Sequence, residues 1–102
     1  MQEVEIKGFE DGTLHVALSG EIDLGNADAF YQAVSDGYNA TPGNVSFDCD
    51  KLEFIDSTTL GTFVKILKKV KADGYAMKLL HLQPKIKKLF VICSLDTIME
   101  IA

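Results

Sequence analysis

The segment from Ser57 to about Asp73 constrains the fold of this chain most strongly, because its apolar residues recur at the spacing of one helix face. Leucine, phenylalanine and valine occupy that face, and lysines fill most of the other positions. Gly74 follows as a stop signal. The preceding residues alternate between apolar and polar from Val45 to Asp50, which is typical of a β-strand. A strand that leads into such a helix predicts a strand–helix–strand unit.

The first forty residues add a hairpin and a helix to this unit. Apolar residues between positions 4 and 9 suggest a first strand, and the Asp11-Gly12 pair favours a tight turn after it. Thr13 to Ile22 alternates in polarity and is predicted to pair antiparallel with that strand. A helix follows, for which Asn26 is the expected N-cap.

The last third of the chain predicts two more strands around a short helix. The largely apolar run from Tyr75 to Leu82 is strand-like, and Thr97 to Ile101 is expected to form a last short strand. Pro84 fits the first turn of a helix between them. The residues expected to face the core from this helix are Ile86, Leu89, Phe90 and Cys93.

The element order is therefore ββαβαβαβ in one domain that covers residues 1–102. Repeated strand–helix–strand units call for parallel pairing with right-handed crossovers, and the first hairpin adds an antiparallel edge. We predict an α/β fold with a mixed, mostly parallel β-sheet and with helices packed on one or both of its faces.

Charge and composition exclude several classes of function. Ten lysines, no arginine and fifteen acidic residues give a net charge of -5, which argues against direct nucleic-acid binding. The chain shows no signal peptide, and no apolar stretch approaches the roughly 20 residues that cross a bilayer. A cytoplasmic location without membrane insertion is expected. Cys49 and Cys93 lie on apolar repeats and are expected to be reduced core thiols.

Motifs of catalysis and cofactor binding are missing from the sequence. It contains no Walker loop, dinucleotide fingerprint or nucleophile elbow. His15 and His81 have no Cys or second His at ligand spacing, so we interpret them as surface or boundary residues. The carboxylates near the end of the third strand are Asp48, Asp50, Glu53 and Asp56. A Mg²⁺ site there is the weaker alternative to solvated acidic residues, and no enzyme activity, metal or cofactor is predicted.

A dense run of hydroxyls from Asp56 to Gly61 marks the junction between the third strand and the second helix. Ser57 or Asp56 is a good N-cap at this point, which accounts for the run structurally. A hydroxyl at an exposed corner is also accessible to a kinase, and a phosphoryl group adds roughly -1.5 to -2 charges at neutral pH. With Glu21 and Asp23 nearby, the corner would then repel a partner that had bound it neutral.

Separated motifs resemble the STAS domain family, specifically its anti-sigma-factor antagonists. Leu18 to Asp23 resembles the signature of the family's second strand, which ends in Gly-Glu-hydrophobic-Asp. Phe54 to Gly61 resembles the family's Asp-Ser-Ser-Gly-Leu-Gly motif, and Leu82 to Phe90 resembles the segment before and within its third helix. The resemblance implies one STAS domain over residues 1–102.

The resemblance also implies a phosphorylation switch. Ser57 matches the hydroxyl that an anti-sigma-factor serine kinase phosphorylates. The unphosphorylated protein would bind the kinase and release a sigma factor, and a phosphatase would reverse the modification. The residues implied in partner binding are Glu21, Asp23, Asp56, Thr58, Thr59 and Gly61. Thr59 stands where the motif usually has Gly, which adds a further candidate acceptor. The resemblance makes the chain a substrate and ligand rather than an enzyme. It leaves the oligomeric state open, and a monomer is our expectation.

A second interpretation keeps the fold and changes the role. STAS domains also occur in anion transporters, in stress-sensing complexes and as small subunits of lipid-transport ATPases, so the fold does not fix the function. In this alternative the chain is a non-phosphorylated subunit or scaffold, and the region around Ser57 is only a helix cap and a contact surface.

Overall fold

The structure, a computed structural model, describes residues 1–102 and has the predicted element order ββαβαβαβ. The strands are β1 (Val4–Glu10), β2 (Thr13–Ile22), β3 (Asn44–Ile55), β4 (Met77–Leu80) and β5 (Glu100–Ile101). The helices are α1 (Ala27–Ala40), α2 (Ser57–Ala72) and α3 (Pro84–Ile92), and a short 3₁₀ turn spans Leu95–Thr97. None of these helices is both long enough and apolar enough to cross a membrane.

The five strands form one mixed sheet in the order β1-β2-β3-β4-β5. β1 pairs antiparallel with β2, and the pairs from β2 to β5 are all parallel. Because strands that follow each other in sequence are also neighbours in the sheet, right-handed crossovers bring every helix to the same face. The predicted α/β fold with a mostly parallel sheet is confirmed, and its helices cover one face of the sheet only.

Four fully buried phenylalanines fill the space between the sheet and the helices. Phe47 of β3 meets Phe30 of α1 and Phe63 of α2 edge to face, with ring centroids 6.0 and 5.5 Å apart. Phe63 also contacts Phe90 of α3, with the ring centroids 5.4 Å apart. This cluster ties all three helices to the central strand, so the start of α2 is held firmly against the ends of β2 and β3.

Two predicted strands are shorter in the structure. β4 covers Met77–Leu80 rather than residues 75–82, because Gly74 takes a left-handed φ of 84° and the next two residues are still irregular. β5 covers only Glu100–Ile101, since the 3₁₀ turn at Leu95–Thr97 occupies the point where the strand was expected to begin.

α3 buries fewer of its residues than predicted. Ile86 and Phe90 face the core, whereas Leu89 and Cys93 are exposed. The helix has only nine residues, so one pair of side chains a turn apart reaches the core, and Cys93 lies beyond its last residue. The expectation of two core thiols is therefore wrong for Cys93. Cys49 is buried in β3, and burial raises the pKa of its thiol to about 12.

Candidate functional site

The N-terminus of α2 is capped by a carboxylate. Asp56 has an extended backbone, with φ -114° and ψ -175°, and its Oδ1 atom accepts a hydrogen bond of 2.9 Å from the backbone N–H of Thr59. Of the two caps considered from the sequence, Asp56 rather than Ser57 has this role. Ser57 is the first residue of the helix, and its exposed side chain takes no part in the cap.

The carboxylate of Asp56 also holds the loop that follows β2. Its Oδ2 atom accepts a hydrogen bond of 2.9 Å from the backbone N–H of Leu24. The backbone N–H of Thr59 contributes most to a lowered pKa of Asp56, and the Leu24 N–H adds to the effect. Because the pKa of Asp56 is lower in the folded state, its ionised carboxylate stabilises the fold at pH values above the unfolded-state pKa of about 3.9. This contribution is lost as the pH falls through the folded-state pKa. The corner is therefore fully formed at neutral pH.

Polar side chains of the β2–α1 loop (residues 23–26) fix its own backbone. Oδ1 of Asp23 accepts a hydrogen bond of 2.9 Å from the N–H of Gly25, which makes an Asx turn. Asn26 accepts from the N–H of Asp23 at 2.8 Å and donates to the carbonyl of Glu21 at 3.0 Å. Asn26 thus occupies the N-cap position of α1, but its side chain turns back to the loop instead of capping the helix as predicted.

Thr59 is an internal connection between α2 and β2. Its side chain is 0% exposed, and its hydroxyl donates a hydrogen bond of 2.6 Å to the carbonyl of Ile22. The expectation that Thr59 contacts a partner or offers a further acceptor hydroxyl is wrong for the folded protein, because the hydroxyl is enclosed and already bonded. The residue that departs from the glycine of the resembled motif therefore acts inside the domain.

The outer surface of the helix start carries two hydroxyls and a glycine. Ser57, Thr58 and Gly61 are all exposed, and Ser57 and Gly61 share a helix face because they are four residues apart. A Cβ atom added to Gly61 meets no heavy atom within 4 Å apart from its chain neighbours and the nearby backbone of its own helix, so packing does not require a glycine there. One turn further on, the Lys65 ammonium lies 4.2 Å from the centroid of the Tyr31 ring.

The hydrogen bonds and the parallel pairing of β2 with β3 bring most of the predicted site residues to one edge of the sheet. Glu21 is opposite Phe54 in the ladder, and Ile22 is opposite Ile55, immediately before the capping carboxylate. The edge is acidic at neutral pH. The predicted residues that form this surface, called the Ser57 corner below, are Glu21, Asp23, Asp56, Ser57, Thr58 and Gly61.

The acidic residues of β3 do not combine into a metal site. Asp48 lies on the open face of the sheet, where its Oδ1 atom is 3.1 Å from Nδ1 of His81, and this hydrogen bond lowers the pKa of Asp48. Asp56 is engaged in the helix cap instead. No three His, Cys, Asp or Glu side chains come together closely enough to hold a metal ion. The geometry gives no support to a metal-dependent activity at these residues.

Two exposed apolar side chains at the Ser57 corner escaped the sequence-based assignment of site residues. Leu24 is 76% exposed and Phe54 is 46% exposed. Leu24 lies in a polar turn, outside both the strand and the helix periodicity. An apolar residue in such a turn is the signal that would have identified it, because neither neighbouring element can bury it.

The fold and this corner define a class of protein. They describe an α/β domain in which the second helix begins at a capped, acidic corner with exposed hydroxyls. A family model described as STAS domain matches residues 5–102, and the chain belongs to the STAS domain family. The resemblance noted in the sequence is confirmed.

A relative of this chain is named as an anti-sigma factor antagonist, which is the class of protein that the resemblance implied. The chain is 30% identical to the anti-sigma-B factor antagonist of Listeria monocytogenes over 99 residues, which cover 96% of this chain and 86% of that protein. It is similar in structure to an anti-sigma factor antagonist from Mycobacterium paratuberculosis, with a TM-score of 0.84, 22% identity, and coverage of 96% of this chain and 82% of that one. It is also similar to the Bacillus cell fate determinant SpoIIAA in the phosphorylated form, with a TM-score of 0.75, 20% identity, and coverage of 97% and 90%. At these identities the two structural similarities show the fold alone.

Proposed function

We propose that this chain is an anti-sigma factor antagonist that is switched by phosphorylation of Ser57. The unphosphorylated protein binds a serine kinase that otherwise holds a sigma factor, and this binding releases the sigma factor. Phosphorylation of Ser57 ends the binding, and a phosphatase restores it. The chain is the substrate and the ligand in this cytoplasmic cycle, and it is not a catalyst.

The observation that carries the proposal is the position of Ser57 at the start of α2. Asp56 does the capping, so the Ser57 hydroxyl is exposed and available to a kinase. The positive end of the helix dipole stabilises a negative group at such a position by about 0.3–1 kcal/mol. A relative supports the proposal, since the Listeria protein is named an anti-sigma-B factor antagonist.

A phosphoryl group on Ser57 changes the interaction with a partner far more than it changes the fold. It adds roughly -1.5 to -2 charges next to Asp56, at an edge that also carries Glu21 and Asp23. A partner that buries the neutral Ser57 hydroxyl must then desolvate the phosphoryl group without a basic group placed to pair with it, which costs several kcal/mol. Within the domain, the positive end of the helix dipole offsets part of the repulsion between the phosphoryl group and these carboxylates. This asymmetry is the physical requirement of a release switch.

Mapping the phosphate tests the proposal. The purified protein is incubated with its cognate anti-sigma serine kinase and ATP, and the modified residue is located by tandem mass spectrometry. We expect one phosphate on Ser57, none in Ser57→Ala, and unchanged modification of Thr58→Ala, which lacks the neighbouring exposed hydroxyl. Phosphate on Thr58 contradicts the choice of acceptor. Kinase binding without any phosphorylation favours the alternative of a constitutive STAS subunit.

Gly61→Ala is expected to stabilise the domain and to weaken partner binding. The added methyl group meets no atom of the domain beyond its chain neighbours and the nearby backbone of its own helix, so replacing an exposed helix-interior glycine should raise the free energy of unfolding by about 0.5–1 kcal/mol. The same methyl stands on the helix face of Ser57, where it keeps a docked partner away from the helix backbone. Urea denaturation should show the gain, and a titration with the kinase should show weaker binding. Unchanged affinity in the stabilised variant would place Gly61 outside the contact surface.

A further inference from the structure

Leu24 is the most exposed of the large apolar residues of the protein, at 76% of its full accessible surface. Isolated exposed apolar side chains are common on protein surfaces and need no function. Leu24 differs from such residues in its position, because its backbone N–H is bonded to the carboxylate that caps α2, one residue before Ser57. The exposed side chain therefore belongs to the Ser57 corner and is held in a fixed relation to the acceptor hydroxyl.

The backbone around Leu24 is fixed on both sides of the residue. Asp56 accepts from the N–H of Leu24, and Asp23 accepts from the N–H of Gly25, each at 2.9 Å. Asn26 closes the loop through hydrogen bonds to the residues before it. A side chain that is displayed on an already ordered loop loses little conformational freedom when it docks, and such preorganisation favours affinity.

The charges around Leu24 indicate the chemistry of a complementary surface. Glu21, Asp23 and Asp56 lie on the same edge, and the first lysine of α2, Lys65, lies over the Tyr31 ring one turn beyond Gly61. The surface that best complements Leu24 is therefore an apolar pocket with basic groups at its rim, since these match the negative charge of the corner. A leucine side chain that is buried in such a pocket contributes to binding through the apolar surface that it removes from water.

We propose that Leu24 is the apolar anchor of the kinase-binding surface and that it enters a basic-rimmed apolar pocket on the anti-sigma serine kinase. This inference rests on the proposed function and adds to it the residue that sets affinity and partner choice. Asp56 positions both parts of the interface, because one carboxylate oxygen holds the Leu24 loop and the other caps the helix that carries Ser57.

The test compares Leu24→Ala with a matched control at a remote exposed residue. Ile92 is 68% exposed at the end of α3, on the opposite edge of the sheet from the start of α2, so Ile92→Ala removes similar apolar area away from the corner. The dissociation constant of each variant for the purified cognate kinase is measured by calorimetry. We expect Leu24→Ala to raise it by about tenfold or more, and Ile92→Ala to leave it within about twofold.

Two further readouts distinguish an anchor from a structural residue. Leu24→Ala should leave the melting temperature unchanged, because the backbone hydrogen bonds of the loop are retained. It should raise the KM of the kinase for this protein and leave kcat unaltered, since Leu24 does not touch the reacting atoms. Equal affinity of wild type and Leu24→Ala overturns the anchor while phosphorylation of Ser57 stands. Failure of the wild-type protein to bind or be phosphorylated by the kinase overturns the proposed function, and the anchor with it.

Discussion

Ser57→Asp is expected to weaken kinase binding by about 100-fold and to leave the fold intact. The substitution puts a permanent negative charge at the first residue of α2, beside Asp56. Within the protein this charge faces the positive helix end, so the melting temperature should stay the same or rise slightly. In the proposed complex the charge would be buried against a surface that fits a neutral hydroxyl, and a penalty of about 3 kcal/mol corresponds to a loss of about 100-fold in affinity.

Ser94→Asp is the matched control for this prediction. Ser94 is exposed, it follows α3 at the opposite edge of the sheet, and its left-handed φ of 58° is one that aspartate tolerates. The two variants therefore carry the same substitution and the same net charge. Calorimetric titration with the kinase should give wild-type affinity for Ser94→Asp and for Ser57→Ala. Equal weakening by both aspartates would point to the net charge of the protein rather than to the corner.

Local patterns were sufficient to predict the element order, because a helix face or an alternating strand is visible within a few residues. α2 was predicted from Ser57 to about Asp73 and spans Ser57–Ala72. The predictions that were wrong concern the length of an element and the residues that it buries. The periodicity of α3 continues through Leu89 and Cys93, but the helix ends before Cys93, and Leu89 lies beside the face that Ile86 and Phe90 bury.

The part of the site that consists of residues adjacent in the sequence was predictable. Asp56 and Ser57 are recognisable as a helix start from their residue types alone. The contacts that join the corner to β2 link residues that are far apart in the chain. The hydrogen bond from Thr59 to Ile22 spans 37 positions, and the one from Leu24 to Asp56 spans 32. Neither the inward side chain of Thr59 nor the displayed side chain of Leu24 follows from a local pattern, since both depend on the parallel pairing of β2 with β3.

Thr59→Val is expected to destabilise the domain and loosen the corner. Valine keeps the shape of threonine, but it removes the hydroxyl that donates to the Ile22 carbonyl at 2.6 Å in a fully buried position. A buried carbonyl that loses its donor costs about 1–3 kcal/mol. Urea denaturation should show this loss. Hydrogen exchange of the Leu24 and Gly25 amides should accelerate, because the end of β2 is no longer held against α2.

Thr62→Val is the matched control for Thr59→Val, whose lost hydroxyl donates to the Ile22 carbonyl and also lies 3.0 Å from Oδ1 of Asp56. Thr62 lies on the same helix, and its hydroxyl donates to the carbonyl of Thr58 at 3.1 Å, four residues earlier. Such a bond within a helix adds little, because the carbonyl already has a partner in the helix itself. We expect Thr62→Val to change stability by less than about 0.5 kcal/mol, and Thr59→Ser, which keeps the hydroxyl, to preserve the slow exchange of the loop. If Thr59→Val costs no more than Thr62→Val, the connection to β2 does not hold the corner, and the loop must owe its order to Asp56 and Asn26 alone.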